Sequence, residues 1–106
     1  EDSLIFNQNS KYILSLLNEE VSSTSWFLPN GLHKIGRLPE KEIILDDVTV
    51  SRHHAFITVD DEEISITDEE STNGIFINGE LLTESTLKSG DRLQVGKFSL
   101  IVTKTD

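Results

Sequence analysis

Three short stretches concentrate side chains able to do chemistry: Gly36-Arg37, Ser51-Arg52-His53-His54 and Ser71-Thr72-Asn73-Gly74. Serine beside histidine raises nucleophilic catalysis, adjacent histidines raise a metal site, and serine beside arginine raises an anion site. A hydrolase of the nucleophile-elbow type carries Gly-x-Ser-x-Gly between a strand and a helix, whereas Ser51 lies in Val50-Ser51-Arg52 with no flanking glycine and no helical pattern after it. Successive side chains of an extended segment point to opposite faces, so His53 and His54 are poor joint ligands for one metal ion. Neither Gly-x-Gly-x-x-Gly nor Gly-x-x-x-x-Gly-Lys-Ser/Thr occurs, which leaves nucleotide phosphates without a cradle. No catalytic residue, metal ligand or cofactor is expected, and the anion reading is the one left.

Charge sharpens it. The 106-residue chain carries Lys+Arg 9 against Asp+Glu 19, a formal net charge of -10. Its arginines are only Arg37, Arg52 and Arg92, and Lys34, Arg37, Lys41 and Arg52 crowd into one short window. A local positive pocket in an acidic protein attracts one compact dianion. Nucleic acid and anionic membrane surfaces require extended basic stripes, so neither is an expected partner. No apolar run approaches the roughly 18 residues that span a bilayer. The absence of cysteine and of any Asn-x-Ser/Thr sequon fits a cytoplasmic setting, and a monomer is expected. The start at Glu1, with no charged-then-apolar leader, is expected of an excised piece of something longer.

The elements that must position these residues read as β structure. After "KYILSLLN" at 11–18, short apolar runs are separated by Gly, Asn, Asp or Pro every eight to twelve residues or so, the spacing of an all-β sandwich of about ten or eleven strands. "HAFITV" and "ISIT" flank the acidic tip Asp60-Asp61-Glu62-Glu63 as a hairpin, "GIFING" closes on the turn pair Asn78-Gly79, and "DRLQV" and "FSLIV" join through Gly96-Lys97. "KYILSLLN" fits a helix or a strand equally well. Residues 1–10 are expected to form a flexible N-terminal arm and residues 11–106 a single domain, with function in loops at one end. His54 precedes the apolar "AFITV" and is expected to point inward and brace the loop by hydrogen bonds. Each of the three stretches, taken singly, also suits an ordinary turn.

Taken in order, the pieces resemble the forkhead-associated (FHA) domain, a phosphothreonine-peptide-binding module. The resemblance rests on "GR" at 36–37, "SRHH" at 51–54 against the family's Ser-Arg-x-His, "STNG" at 71–74, "NG" at 78–79 and "LKSGDRLQVG" at 87–96, and covers roughly residues 11 to 104. It implies an eleven-stranded antiparallel β-sandwich, with "KYILSLLN" as the first strand. It further implies that Arg37 makes ionic hydrogen bonds to the phosphate, that Ser51 donates its hydroxyl, and that Arg52 and Thr72 complete the oxygen shell. Asn73 would bind the ligand backbone, Gly36 and Gly74 would shape their loops, and His54 would support the serine loop. Thr49 and His53 are the residues expected to read peptide side chains after the phosphothreonine. The implied partners are a phosphothreonine protein or peptide and a Ser/Thr kinase or its substrates.

"IILDDVTVSR" followed by "GKFSLIV" resembles actinobacterial FHA regulators that act downstream of Ser/Thr kinases and bind 2-oxoglutarate-consuming enzymes. Those carry a threonine-rich phosphorylation motif in the N-terminal arm, whereas no threonine precedes Thr24 here. The alternative is a phosphate-independent interaction module that binds and regulates a metabolic enzyme through the same loops. Each hydrogen bond to a charged group contributes about 1.5–3 kcal/mol, and micromolar affinity needs about 8 kcal/mol net, so three or four contacts suffice. A recess for the threonine methyl would add about 0.8 kcal/mol over serine. Asp46 and Asp47 are expected to repel acidic peptides.

Overall fold

The computed structural model describes residues 12–17 and 24–105; the arm at residues 1–10 lies outside them. Eleven strands form among these residues: β1 (Tyr12–Leu17), β2 (Ser25–Leu28), β3 (Gly31–Gly36), β4 (Ile43–Ile44), β5 (Ala55–Asp60), β6 (Glu63–Asp68), β7 (Ile75–Ile77), β8 (Glu80–Leu82), β9 (Glu84–Thr86), β10 (Arg92–Val95) and β11 (Phe98–Lys104). They make a six-stranded sheet in the order β2-β1-β11-β10-β7-β8 and a five-stranded sheet in the order β4-β3-β5-β6-β9. Every pairing is antiparallel except the short β3–β4 contact, which is parallel. No helix long and apolar enough to cross a membrane occurs among the described residues.

Alternation decides what each strand buries. Along β5, Ala55, Ile57 and Val59 are buried between half-buried neighbours, and Ile64 and Ile66 do the same on β6. From the opposite sheet Leu14, Leu93, Val95, Leu100 and Val102 face them in one cluster. This period of two is the mark of sheets with one face on the core. "KYILSLLN" resolves as a strand because Tyr12 and Leu14 enter that core while Ile13 and Ser15 stay half-buried. Its backbone is laddered on both sides, to β2 and to β11. β2 and β3, consecutive through Asn30-Gly31, lie in different sheets.

Register places the loops. β3 pairs Ile35 with Ala55, and β5 pairs Ala55 with Asp68, so the end of β3, the start of β5 and the end of β6 share one end of the five-stranded sheet. β7 starts at Ile75 opposite Val95, so the Gly96-Lys97 turn lies at the start of β7, where the 69–74 loop arrives from β6. The acidic β5–β6 turn, where Asp60 pairs with Glu63, is at the far end of β5. The Asn78-Gly79 turn is at the far end of β7, with both residues at positive φ as a two-residue hairpin requires.

Candidate functional site

The three stretches singled out in the sequence converge at the end where β3 stops and β5 starts. Gly36 closes β3, and its N–H and C=O neighbours tie the loops together: Arg37 N donates to Ser51 O at 3.1 Å and Leu45 N donates to Gly36 O at 2.9 Å. Only glycine fits at 36. A Cβ built there would lie 2.2 Å from the carbonyl oxygen of Arg52, far inside contact distance.

His54 is fully buried and holds two loops at once. Its Nδ1 accepts from the Ser51 backbone N–H at 3.0 Å, and its Nε2 lies 2.9 Å from the Gly74 carbonyl oxygen. The first bond needs an unprotonated Nδ1, so Nε2 carries the proton and donates to Gly74. Both ring nitrogens are thereby committed to backbone, and neither is left to act as a base on the Ser51 hydroxyl.

Ser51 and the 71–74 loop meet directly. The Thr72 N–H donates to Ser51 Oγ at 2.9 Å, which leaves the Ser51 hydroxyl proton free to be donated outward. Asn73 Nδ2 donates to the Thr49 carbonyl at 2.9 Å, leaving its amide oxygen and second N–H. The loop is shaped by a residue that sequence reasoning passed over: Asp68 accepts from the Ser71 hydroxyl at 2.6 Å and from the Ser71 N–H at 3.2 Å, and Ser71 Oγ in turn accepts from Gly74 N at 2.9 Å. An acidic residue three positions before Ser71 was a legible turn signal. Gly74 adopts φ of +79°, and a Cβ there would meet Leu81 at 2.6 Å.

The cations stand at the rim of this construction. Arg37 is half-buried, with Nε donating to the Val50 carbonyl at 3.0 Å, which fixes the plane of its guanidinium and leaves its terminal nitrogens. Arg52 is exposed. Among the described residues neither arginine pairs with a carboxylate, although the chain carries an excess of acids. Thr72 and Asn73 are exposed beside them. Arg37, Ser51, Arg52, Thr72 and Asn73 are thus gathered at one end, where two N–H-rich cations and two hydroxyls can surround one anion.

Thr49 and His53 have partners inside the protein. The Thr49 hydroxyl donates to Asp47 Oδ2 at 2.7 Å and accepts from Lys97 N at 2.9 Å, while its N–H donates to the same carboxylate at 2.9 Å. Lys97 Nζ lies 3.2 Å from Asp47 Oδ1. The Thr49 hydroxyl and N–H, followed by Lys97, hold the Asp47 carboxyl down from its ordinary 3.8 to about 2. The Asp47 carboxylate is thereby kept ionised and tied to Thr49 and Lys97. His53 is exposed, with Nδ1 2.7 Å from Lys41 Nζ.

This architecture has known relatives. The FHA domain family model matches residues 33–96. The chain belongs to the forkhead-associated (FHA) domain family. It is 38% identical over 80 residues to the glycogen accumulation regulator GarA of Mycobacterium tuberculosis, covering 76% of this chain and 49% of GarA. It is 46% identical over 66 residues to the oxoglutarate dehydrogenase inhibitor of Corynebacterium efficiens, covering 62% of this chain and 46% of that protein. A solved FHA domain studied for its phosphothreonine-dependent interactions superposes with a TM-score of 0.84 at 30% identity, covering 91% of this chain and 98% of that one. The chain thus spans about half the length of the curated relatives it matches.

Proposed function

We propose that this domain binds phosphothreonine peptides and recruits or regulates phosphorylated partner proteins in Ser/Thr kinase signalling. The observation that carries the reading is a pair of arginines without carboxylate partners among the described residues, set around a serine whose hydroxyl proton is free. A phosphate dianion supplies what the loops lack. Arg37 would grip two of its oxygens in the plane fixed by Val50, Ser51 would donate its hydroxyl, and Arg52 and Thr72 would close around the remaining oxygens. Asn73, held by Thr49, would receive the peptide backbone. Binding of this kind needs no bond-making step, so the domain acts as an adaptor and not as an enzyme, in the cytoplasm and as a monomer. Nucleic acid and membrane surfaces are not its partners.

Fluorescence anisotropy with a phosphothreonine peptide library tests the assignment. Arg37→Ala should weaken binding by at least about thirtyfold, the loss typical of truncating one side of a charge-assisted contact. Unchanged affinity in both Arg37→Ala and Ser51→Ala would sink it.

A second reading has one observation in its favour. Val48, at the tip of the loop between Asp47 and Thr49, is 92% exposed. An apolar residue so presented suits a folded partner surface, and relatives carry the names of a glycogen accumulation regulator and a dehydrogenase inhibitor. On this reading the same loops hold and regulate a metabolic enzyme without phosphate. Phosphatase treatment of the partner separates the two, since only a phosphate-independent complex survives it.

A further inference from the structure

Lys41 is the one lysine buried among the described residues, at 6% exposure, and the phosphate site described above makes no use of it. Its stem lies against the glycine that ends β3: a Cβ on Gly36 would come within 3.2 Å of Lys41 Cγ and 2.2 Å of the Arg52 carbonyl oxygen. No carboxylate among the described residues lies within 4 Å of its ammonium. Its partner is instead His53 Nδ1, at 2.7 Å. A buried ammonium without a counter-ion is costly, and covering of the stem alone would be served as well by an uncharged chain of the same length.

The ammonium has only protons to give, so His53 Nδ1 must accept and the imidazole proton sits on Nε2. A neutral imidazole whose acceptor nitrogen takes a hydrogen bond from a cation presents a stronger N–H donor at its other nitrogen, because hydrogen bonds in such chains strengthen one another. His53 is exposed, next in sequence to Arg52 and two residues from Ser51. We infer that Lys41 and His53 form a relay that presents a second anion-binding point beside the phosphate, selecting peptides that carry a further anionic group near the phosphothreonine. The inference rests on the phosphothreonine reading and specifies its substrate class. His53 makes the contact, while Lys41 is a positioning residue that acts through it. The ligand group is a carboxylate of Asp or Glu or a second phosphate, which share the chemistry. Asp47 does not oppose it, being occupied by Thr49 and Lys97.

The test is a peptide set built on one phosphothreonine in an otherwise neutral context. Glu is placed in turn at each position within four residues on either side, with phosphoserine as a parallel substitution, and affinities are read by anisotropy. In the wild type, at least one acidic position should bind about fivefold more tightly than the neutral parent, the scale of one charge-assisted contact at a wet rim. Lys41→Met and His53→Ala should each bring that ratio to about one, and the double variant should lose no more than either single one. Lys41→Arg should restore it. A gain from phosphoserine but not from Glu identifies the second anion as phosphate. Should Lys41→Met unfold, the exposed His53→Ala decides alone. The inference is overturned if no position gains, or if the ratio survives in His53→Ala. Loss of the ratio with strong neutral-peptide binding retained by Arg37→Ala would instead overturn the underlying phosphate assignment.

Discussion

The two ends of strand β5 are built by different means. At its far end, Asp60 pairs with Glu63 across a two-residue turn, so the backbone ladder runs to the tip, and Asp61 takes the left-handed conformation at φ of +57°. Four consecutive acids there are exposed. At its near end the ladder stops at Ala55, and the loops beyond it are held by side chains in addition to scattered backbone bonds: His54 to Ser51 and Gly74, Asp68 to Ser71, Asp47 to Thr49, Arg37 to Val50. The tip needs a residue that accepts the left-handed conformation at 61 and an anchor at Asn30 but leaves its other side chains free to vary, whereas loops fixed by many of their own side chains make each of those residues specific. The difference teaches where sequence must be exact and where composition suffices.

The contrast can be broken most severely at His54. His54→Ala would leave the Ser51 N–H and the Gly74 carbonyl unpaired in a buried space, and it should cost about 3 kcal/mol of stability by urea unfolding. Phosphopeptide binding should be lost even where the variant remains folded. Gly36→Ala comes next, because its Cβ would overlap the Arg52 carbonyl oxygen. It should cost about 2 kcal/mol and separate the Arg37 and Ser51 loops, seen as lowered affinity together with faster amide exchange at Arg37.

Smaller effects sharpen the comparison. Asp47→Asn should lower peptide affinity about twofold, by releasing Thr49 and Lys97 without unfolding the sheets. The pH dependence has a definite sign. A carboxyl held below its ordinary value stabilises the fold fully above about 3.8, and that contribution fades as pH falls toward 2, so this anchor is unaffected across the neutral range. An acid titration of Thr49 and Lys97 amide shifts, with the Asn variant as control, would show it. At the other end, Asp61→Asn with Glu63→Gln should change stability by less than about 0.5 kcal/mol. Peptide affinity at 0.15 M salt should not change, because β5 separates the tip from the site by about 20 Å, more than twice the Debye length of about 8 Å.

Much of this was legible in the residues. The alternation of "HAFITV" and "ISIT" is a backbone period of two, and it gave the β5–β6 hairpin directly; Asn78-Gly79 announced its turn because few other pairs take positive φ twice. Arg37, Ser51, Arg52, Thr72 and Asn73 could be gathered because they fall in three glycine-marked stretches whose order resembles a known family. "KYILSLLN" was not decidable alone, since Tyr12, Ile13, Leu16 and Leu17 suit a helix while Tyr12, Leu14 and Leu16 alternate as in a strand, and only pairing with β2 and β11 selects the strand. Nothing in the sequence signalled that the Thr49 hydroxyl accepts from the Lys97 N–H, nearly fifty residues on. Lys41 was one of four cations in a single window, and its burial could not be read from a loop composition of Pro, Glu and Lys.

What the sequence determined by itself is everything carried by local backbone preference and side-chain type: the β class, the turns, the loops rich in groups able to bind an anion and the acidic background around them. What only the tertiary structure decided is which of those groups remain free. Among the described residues Arg37 and Arg52 are left without carboxylates while Asp47, His54 and Lys41 are each bound to a partner. Such assignments depend on contacts between segments far apart in the chain, and a hydrogen bond is a property of two positions in space that neither residue specifies alone.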